Sequence, residues 1–366
     1  MAAPRVLVIG SVLAQARGGV WRHNAELLPR AARSLTERGG SLSILEGRET
    51  CAFPLPPEVE RLASPIVASP PLRRASLEGR WVRRTLAEAA QRGTPFDLVH
   101  TAHHPVPRGL DVPYTVLLHD LRALQARHSP FSRRLVAREL IGRAGRAAAR
   151  LMTVSEAMRD ELATTFDLNT DTIDVVPNAA DHFTVLERAT TPGAPMVSIG
   201  HLEPRKNQAL LLRAMALDPS LPDLRLAGLA KGAMESELRE LAQRLGIAAR
   251  VHFVGSFEDH ELPTLYARAS CIVLPSLLEG FGIVAIEAQR AGAPLAISRI
   301  RAHVEVAAAG TPAFDPDDPA ECAEAIHAAL ALEEDALASA SRGTERYSWD
   351  ASATALVDAW TRAADR

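Results

Sequence analysis

Pro275-Ser-Leu-Leu-Glu-Gly-Phe-Gly-Ile-Val-Ala-Ile-Glu287 joins a strand to a helix through glycines, and that junction sets the fold class expected of the whole chain. Just before it, Cys271–Leu274 is a short apolar run with the character of a strand covered on both faces. After it, Ile283-Val-Ala-Ile286 and Ala288 make a helix apolar on nearly every side, which predicts burial. The loop between holds Gly280 and Gly282, which let backbone approach a ligand closely. A helix starting near Gly282 offers unpaired N–H groups and a positive dipole end to a phosphate or a polarised hydroxyl. Two carboxylates mark the segment. Glu279 lies at the helix mouth, and Glu287 sits inside the apolar stretch, where it needs hydrogen-bond donors. Ribose hydroxyls would serve. From spacing alone a second reading stands equally open, with Glu279 capping the helix and Glu287 paired with an arginine.

Outward from this segment the chain alternates short apolar runs with amphipathic stretches, the pattern of βα units and parallel sheets. In the second half Met196–Ile199, Leu224–Ala227, Val251–Val254, Cys271–Leu274 and Pro294–Ile297 read as strands. Gln208–Leu217, Met234–Leu245 and Glu261–Ala269 read as helices between them. Pro192-Gly193-Ala194-Pro195 reads as a linker. In the first half the strands are Val6–Ile9, Leu42–Leu45, Asp97–His100, Thr115–Leu118, Leu151–Val154 and Ile173–Val176, with helical patterns such as Val20–Arg38 and Trp81–Arg92. A last helix near Ala351–Ala364 follows Ser348-Trp349-Asp350. Two doubly wound α/β domains in tandem are the economical reading. Their ligands belong beyond the carboxyl ends of the strands, with an inter-domain cleft as the default site.

The chain has 366 residues, enough for about two domains. It is 47% apolar and 23% charged, which excludes a disordered, collagen-like or coiled-coil chain. No apolar run approaches the roughly 18 residues of a membrane span. The run Val6–Ile9 reads as a strand rather than a signal peptide. Cys51, Cys271 and Cys322 are scattered and odd in number, which suits neither a disulfide framework nor a zinc site and points to a reducing cytoplasm. Residues 1–185 carry 24 basic and 19 acidic side chains and the remainder 17 and 25, so the halves differ in sign. Only two of the 41 basic residues are lysine, Lys206 and Lys231, which marks both as places where a compact ammonium suits better than a guanidinium.

A second chemical segment is Ser198-Ile-Gly-His-Leu-Glu-Pro-Arg-Lys-Asn207, between a strand and a helix. Arg205 and Lys206 therefore lie at the functional end of a sheet, where two cations suit a diphosphate whose charge grows as it leaves; in isolation such a pair is a solvated loop. Other features read more plainly. Asp315-Pro-Asp-Asp318 precedes a helix and is read as a cap rather than a metal-binding D-x-D. His103-His104 follow a strand and either face an acceptor or fill a loop. The start Gly10-Ser-Val-Leu lacks G-x-G-x-x-G, which weighs against a dinucleotide oxidoreductase. The arginines at 133, 134, 138, 143, 146 and 150 form either a solvated helix face or a contact for anionic lipid.

Glu279-Gly-Phe-Gly-Ile-Val-Ala-Ile-Glu287 resembles the E-x7-E signature of the retaining glycosyltransferases of family 4, the glycosyl transferases group 1. Glu203-Pro-Arg-Lys-Asn207 resembles that family's diphosphate loop. Gly18-Gly19, His119-Asp120, Thr153-Val-Ser-Glu156, Val176-Pro-Asn178 and Ser348-Trp349 resemble further landmarks of the family in the expected order. The resemblance implies the GT-B fold, two Rossmann-like doubly wound parallel-sheet domains facing an inter-domain cleft. Residues 1–185 would bind the acceptor, 186–345 the nucleotide sugar, and 346–366 would form a helix returning to the first domain.

The same resemblance implies roles. Glu287 would hold the donor ribose, and Glu279 would contact the transferred sugar. Gly280, Phe281, Gly282 and Ile283 would offer backbone amides. Arg205 and Lys206 would neutralise the leaving diphosphate. Gly19 would lie against the donor phosphates, and His119 near the reacting sugar. Many family members carry an arginine where this chain has His201, which leaves that charge to Arg205 and Lys206. The implied reaction moves a hexose, with mannose a candidate, from a GDP- or UDP-sugar to a glycan or lipid-diphosphate acceptor in cell-surface polysaccharide or glycoconjugate synthesis. It would proceed with retention, without a metal or other cofactor and without nucleic acid, in the cytoplasm or at the inner face of the plasma membrane. Alternatives are a nucleotide-sugar epimerase or hydrolase of the same fold, a non-catalytic partner subunit, and, more weakly, an NAD-dependent enzyme.

Overall fold

The structure is a computed structural model and describes residues 3–14, 18–103, 106–125, 130–182 and 184–365. It divides into two compact units, Met1–Asn178 together with Ser348–Arg366, and Ala179–Tyr347.

Among the described residues the first unit holds seven parallel strands: β1 (Arg5–Ile9), β2 (Ser41–Leu45), β3 (Glu60–Leu62), β4 (Leu98–Thr101), β5 (Tyr114–Leu118), β6 (Arg150–Thr153) and β7 (Ile173–Val175). Their spatial order is β3-β2-β1-β4-β5-β6-β7, so strand order reverses between β1 and β4. Val6 pairs with Leu42 on one side and Leu98 on the other. Helices α1 (Gly19–Glu37), α2 (Pro71–Gln91), α3 (Phe131–Ala147) and α4 (Glu156–Phe166) connect them. The central strands are buried along their length because helices cover both faces, which is why they read as unbroken apolar runs.

The second unit repeats the plan with β8 (Met196–Ile199), β9 (Leu224–Ala227), β10 (Val251–Gly255), β11 (Ile272–Leu274), β12 (Leu295–Ser298) and β13 (Ala313–Phe314). Their order is β10-β9-β8-β11-β12-β13, reversing between β8 and β11. Its helices are α5 (Gln208–Leu217), α6 (Met234–Arg244), α7 (Leu262–Arg268), α8 (Ile283–Arg290), α9 (Arg301–Val306), α10 (Pro319–Leu330) and α11 (Glu334–Gly343). A parallel sheet leaves a crevice beyond the carboxyl ends where its order reverses. The loops after β8 and β11, residues 200–207 and 275–282, flank that point.

The terminal helix α12 (Trp349–Ala364) belongs to the first unit. Ser348 caps it by accepting from Ala351 N–H at 3.1 Å. Trp349 and Trp360 are both fully buried, and Trp360 lies edge-on to His100 at 5.1 Å. Arg30 holds Asp350 at 3.0 Å and Arg362 holds Asp174 at 2.7 Å.

The division between units falls after Asn178, earlier than the residue 185 expected, because side chains on either side of it bond in different directions. Asn178 Oδ1 is 3.0 Å from His23 Nδ1 in the first unit, whereas His182 reaches Glu287 in the second. The second boundary falls after Tyr347 rather than 345, since the Tyr347 ring packs edge-on to Phe281 at 5.4 Å. Helix α2 starts ten residues before the Trp81 read from sequence. The inward positions of its early turns are Arg74 and Glu78, so no apolar period shows there. β3 and β13 are short edge strands without an apolar run. Among the described residues no helix is long and apolar enough to cross a membrane.

Trp360→Ala should cost about 3–5 kcal/mol, as emptying a fully buried indole site does. A urea-melt midpoint for the variant within error of the parent's would show that α12 is not part of the first unit's core.

Candidate functional site

The site grows from two backbones in contact. After β8 and β9 the chain continues through Gly200 and Gly228. A Cβ on Gly228, whose φ is 152°, would stand 2.1 Å from the Gly200 carbonyl oxygen, so only glycine allows this approach. The two loops then zip together: Leu202 N–H donates to Leu229 O at 3.0 Å and Lys231 N–H to Leu202 O at 2.9 Å. From the other side of the reversal, Leu277 N–H donates to Arg205 O at 2.7 Å. Loop 200–207 is thereby fixed between the loops that follow β9 and β11.

Fixing the loops brings charges together. A short turn, Pro204–Lys206, aims two cations at Glu279. Arg205 Nη1 donates to its Oε2 at 2.8 Å, and Lys206 Nζ lies 2.6 Å from its Oε1. Ser276 Oγ donates to Oε1 at 2.8 Å. Burial alone would raise the pKa of Glu279, but attraction by Lys206 and Arg205 outweighs it, so the carboxyl is held far below the usual carboxylate range. Arg205 also turns Nε to Glu203 Oε1 at 2.8 Å, and the other oxygen of Glu203 takes Lys231 Nζ at 2.8 Å. The result is a chain of five charges, Lys231–Glu203–Arg205–Glu279–Lys206, with one more cation than anions. Both lysines of the protein stand at its ends. His201 sits beside it, and burial, followed by the neighbouring charge of Lys231, lowers its pKa.

Helix α8 opens onto this cluster. Gly282 caps it with φ 95°, and no side chain caps its amino end. A Cβ there would come within 3.0 Å of the His303 ring. His303 is buried, with Nδ1 3.1 Å from Ser298 Oγ, whose hydroxyl donates to Ser276 O at 2.6 Å. Since Ser298 spends its one proton on Ser276, the network assigns the imidazole proton to Nδ1 and the lone pair to Nε2. Burial chiefly, with Lys206 adding to it, pushes the His303 pKa down to about 4 despite Glu279 nearby.

Glu287 lies further along α8 and is 4% exposed. Tyr266 O–H donates to its Oε2 at 2.5 Å, and His182 Nε2 is 3.2 Å from its Oε1. Neither conservative expectation survives. Glu279 is not the helix cap, and the contacts of Glu287 are a phenol and an imidazole rather than an arginine.

Arg205, Lys206, Glu279, Gly280, Phe281, Gly282 and Ile283 thus meet in one place, and Glu287 is on the same helix. His119 and Gly19 belong to the first unit. His119 follows β5, packs edge-on to His23 at 4.8 Å, and has its pKa pushed down to about 3 by burial and then by Arg122. Among the described residues its Nε2 is buried without a hydrogen-bond partner. Gly19 opens α1, and a Cβ there would meet open space. His103 Nε2 is bound to the buried Glu78 at 2.9 Å, while His104 lies outside the described residues. Arg150 is in β6 and holds Asp174 at 2.6 Å, so it leaves the basic stretch assigned to it. Asp318 caps α10, accepting from Ala320 and Glu321 N–H. Sequence reasoning missed Ser276, His303, Tyr266 and His182; Ser276 stands three residues before Glu279, whereas the other three come from elsewhere in the chain. Only Ser276 carried a local signal, as a hydroxyl in the same strand-to-helix loop as Glu279.

The buried, neutral His303 makes the second unit acid-labile. With a folded pKa of about 4 against an ordinary 6.5, its contribution is complete above pH 6.5 and is lost as pH falls towards 4, roughly 3 kcal/mol in all. His303→Gln should flatten the fall in stability between pH 7 and 4.5, measured by denaturant titration at each pH. Parallel pH profiles for variant and parent would contradict this.

Two family models cover most of the chain: Glycosyltransferase Family 4 over residues 17–182 and Glycosyl transferases group 1 over 190–346. The chain is 29% identical to the D-inositol 3-phosphate glycosyltransferase of Corynebacterium kroppenstedtii, covering 76% of this chain and 63% of that protein. It is 31% identical to the MMP alpha-(1->4)-mannosyltransferase of Mycolicibacterium hassiacum, covering 58% and 50%, and 30% identical to the glycogen synthase of Mycobacterium tuberculosis, covering 73% and 69%. It therefore spans less than two thirds of the length of the first two. Among solved structures, sucrose-phosphate synthase of Thermosynechococcus elongatus superposes with TM-score 0.76 at 19% identity, over 96% of this chain and 97% of that one. HepE of Anabaena in complex with UDP-glucose gives 0.68 at 20%, over 97% and 98%. With both halves matched in order and the two parallel sheets of its neighbours reproduced, the chain belongs to the glycosyl transferases group 1 family and has the GT-B type of fold.

Proposed function

We propose that this chain transfers a hexosyl group from a nucleoside diphosphate sugar to an acceptor hydroxyl, with retention at the anomeric carbon. The observation that carries the reading is the pair of cations, Arg205 and Lys206, on the two oxygens of Glu279 at the open amino end of α8. The barrier to glycosyl transfer is departure of the diphosphate as positive charge builds on the sugar. Cations and helix N–H groups already in place stabilise that charge without reorganising. They carry it without a divalent metal. Glu279 faces the transferred sugar. Glu287 accepts ribose hydroxyls: Tyr266 O–H occupies one of its roughly four lone-pair directions, and His182 Nε2 lies 3.2 Å from its other oxygen. Glu203, the other carboxylate of the cluster, is engaged by Arg205 and Lys231, which supports attack from the face the diphosphate leaves, with a donor phosphate oxygen taking the acceptor proton. The relatives' names support mannose among the hexoses, and the UDP-glucose bound to HepE supports a UDP-sugar as readily as a GDP-sugar.

The acceptor is a glycan or a lipid-diphosphate at an anionic membrane surface. Helix α3 supports this: Phe131, Leu135 and Val136 are more than half exposed beside Arg133, Arg134 and Arg138. An apolar edge rimmed with arginine is how a helix lies in a lipid interface.

Three outcomes test the reading. Lys206→Ala should lower transfer from UDP- or GDP-hexose by about two to four orders of magnitude, as loss of transition-state charge stabilisation does, with turnover of the parent unaffected by EDTA. Near-normal turnover removes Lys206 from the mechanism, and an altered free sugar made from donor alone favours the epimerase or hydrolase. Glu287→Gln should weaken donor binding in calorimetry; unchanged affinity removes the ribose role. Replacing Phe131 and Leu135 with aspartate should abolish sedimentation with anionic vesicles, and equal sedimentation of the variant would locate membrane contact elsewhere.

A further inference from the structure

Lys231 has no assigned role, yet its surroundings single it out. It is one of only two lysines in a chain of 41 basic residues, and the other is Lys206. The two arise from loops after different strands, β9 and β8, which the close passage of Gly228 over Gly200 and the bond from Lys231 N–H to Leu202 O lock side by side. Lys231 Nζ rests on Glu203, the carboxylate that also holds Arg205, and its side chain is 48% exposed, against 14% for Arg205 and for Lys206. Arg205 is turned to Glu203 through Nε and to Glu279 through Nη1, so a diphosphate must compete with two carboxylates for it. Among the described residues Lys231 pairs with Glu203 alone. His201, in the middle of this cluster, lacks the permanent charge that an arginine would bring there.

We propose that Lys231 is a third cation for the donor diphosphate, swinging from Glu203 onto a phosphate oxygen and supplying the charge that His201 does not. Glu203 is its resting counter-ion and keeps the ammonium within reach of the site. The inference rests on the nucleoside diphosphate reading of the cluster.

The test is calorimetric titration of the full chain with UDP and with GDP. Removing one half-exposed charge-assisted contact should weaken the better-bound diphosphate about five- to twenty-fold in Lys231→Ala and Lys231→Gln. The Lys231→Arg variant should stay within about three-fold of the parent, because the charge remains. Raising salt should weaken the parent more than the alanine variant. Thermal melts confirm that all three variants fold, which an exposed position favours. Alanine and glutamine variants that bind within two-fold of the parent would overturn the proposal, as would an arginine variant as weak as alanine. A parent that binds neither diphosphate would sink the donor reading itself, whatever the variants do.

Discussion

Glu279, with 12% of its side chain exposed, stays ionised chiefly because two cations touch its two oxygens. Strip both away and an uncompensated charge remains in a poorly solvated place, which costs several kcal/mol. That constraint reaches far beyond one side chain. Arg205 and Lys206 must come from a turn fixed against the loop of Glu279, and the turn is fixed by backbone bonds to both neighbouring loops. Those bonds need the glycine contact between Gly228 and Gly200. The cations are thus oriented before any ligand arrives, which is the condition under which charged groups lower a barrier most.

Much of this fold was legible in the sequence because parallel strands covered on both faces must be apolar throughout. The runs at Val6, Leu42, Met196 and Leu224 each became a strand within a residue of the positions read. Legibility failed where burial was not apolar. The first turns of α2 turn Arg74 and Glu78 inward, with Glu78 held by Arg74 at 3.3 Å and His103 at 2.9 Å, so its buried stripe carries charge instead of hydrocarbon. β3 and β13 are edges of two or three residues, too short for any period to register.

The site was legible in part for a similar reason. A helix as apolar as α8 has to be buried, and a buried helix that begins with glycine after a strand has its amino end at the crevice of the sheet. That placed Glu279, Gly282 and Arg205 together. Spacing could not say what the carboxylates touch, since Tyr266, His182 and Lys206 are held near them by tertiary folding alone. His303 was invisible for the same reason, and its tautomer follows only from the hydroxyl of Ser298 being spent elsewhere.

The first unit holds histidines in α1, in β4 and just after β5. His23, His100 and His119 are kept neutral by burial, and the last two have pKa values near 3, so they remain uncharged at any physiological pH. The cations Arg205 and Lys206 belong to the second unit. The central claim is that those cations hold a pyrophosphate. A crystal structure of the chain with bound UDP or GDP measures this directly. The account predicts phosphate oxygens within about 3 Å of Lys206 Nζ and at the amino end of α8, as charge-assisted bonds require. A nucleotide bound elsewhere, with Arg205 and Lys206 both still closed on Glu279, would contradict it.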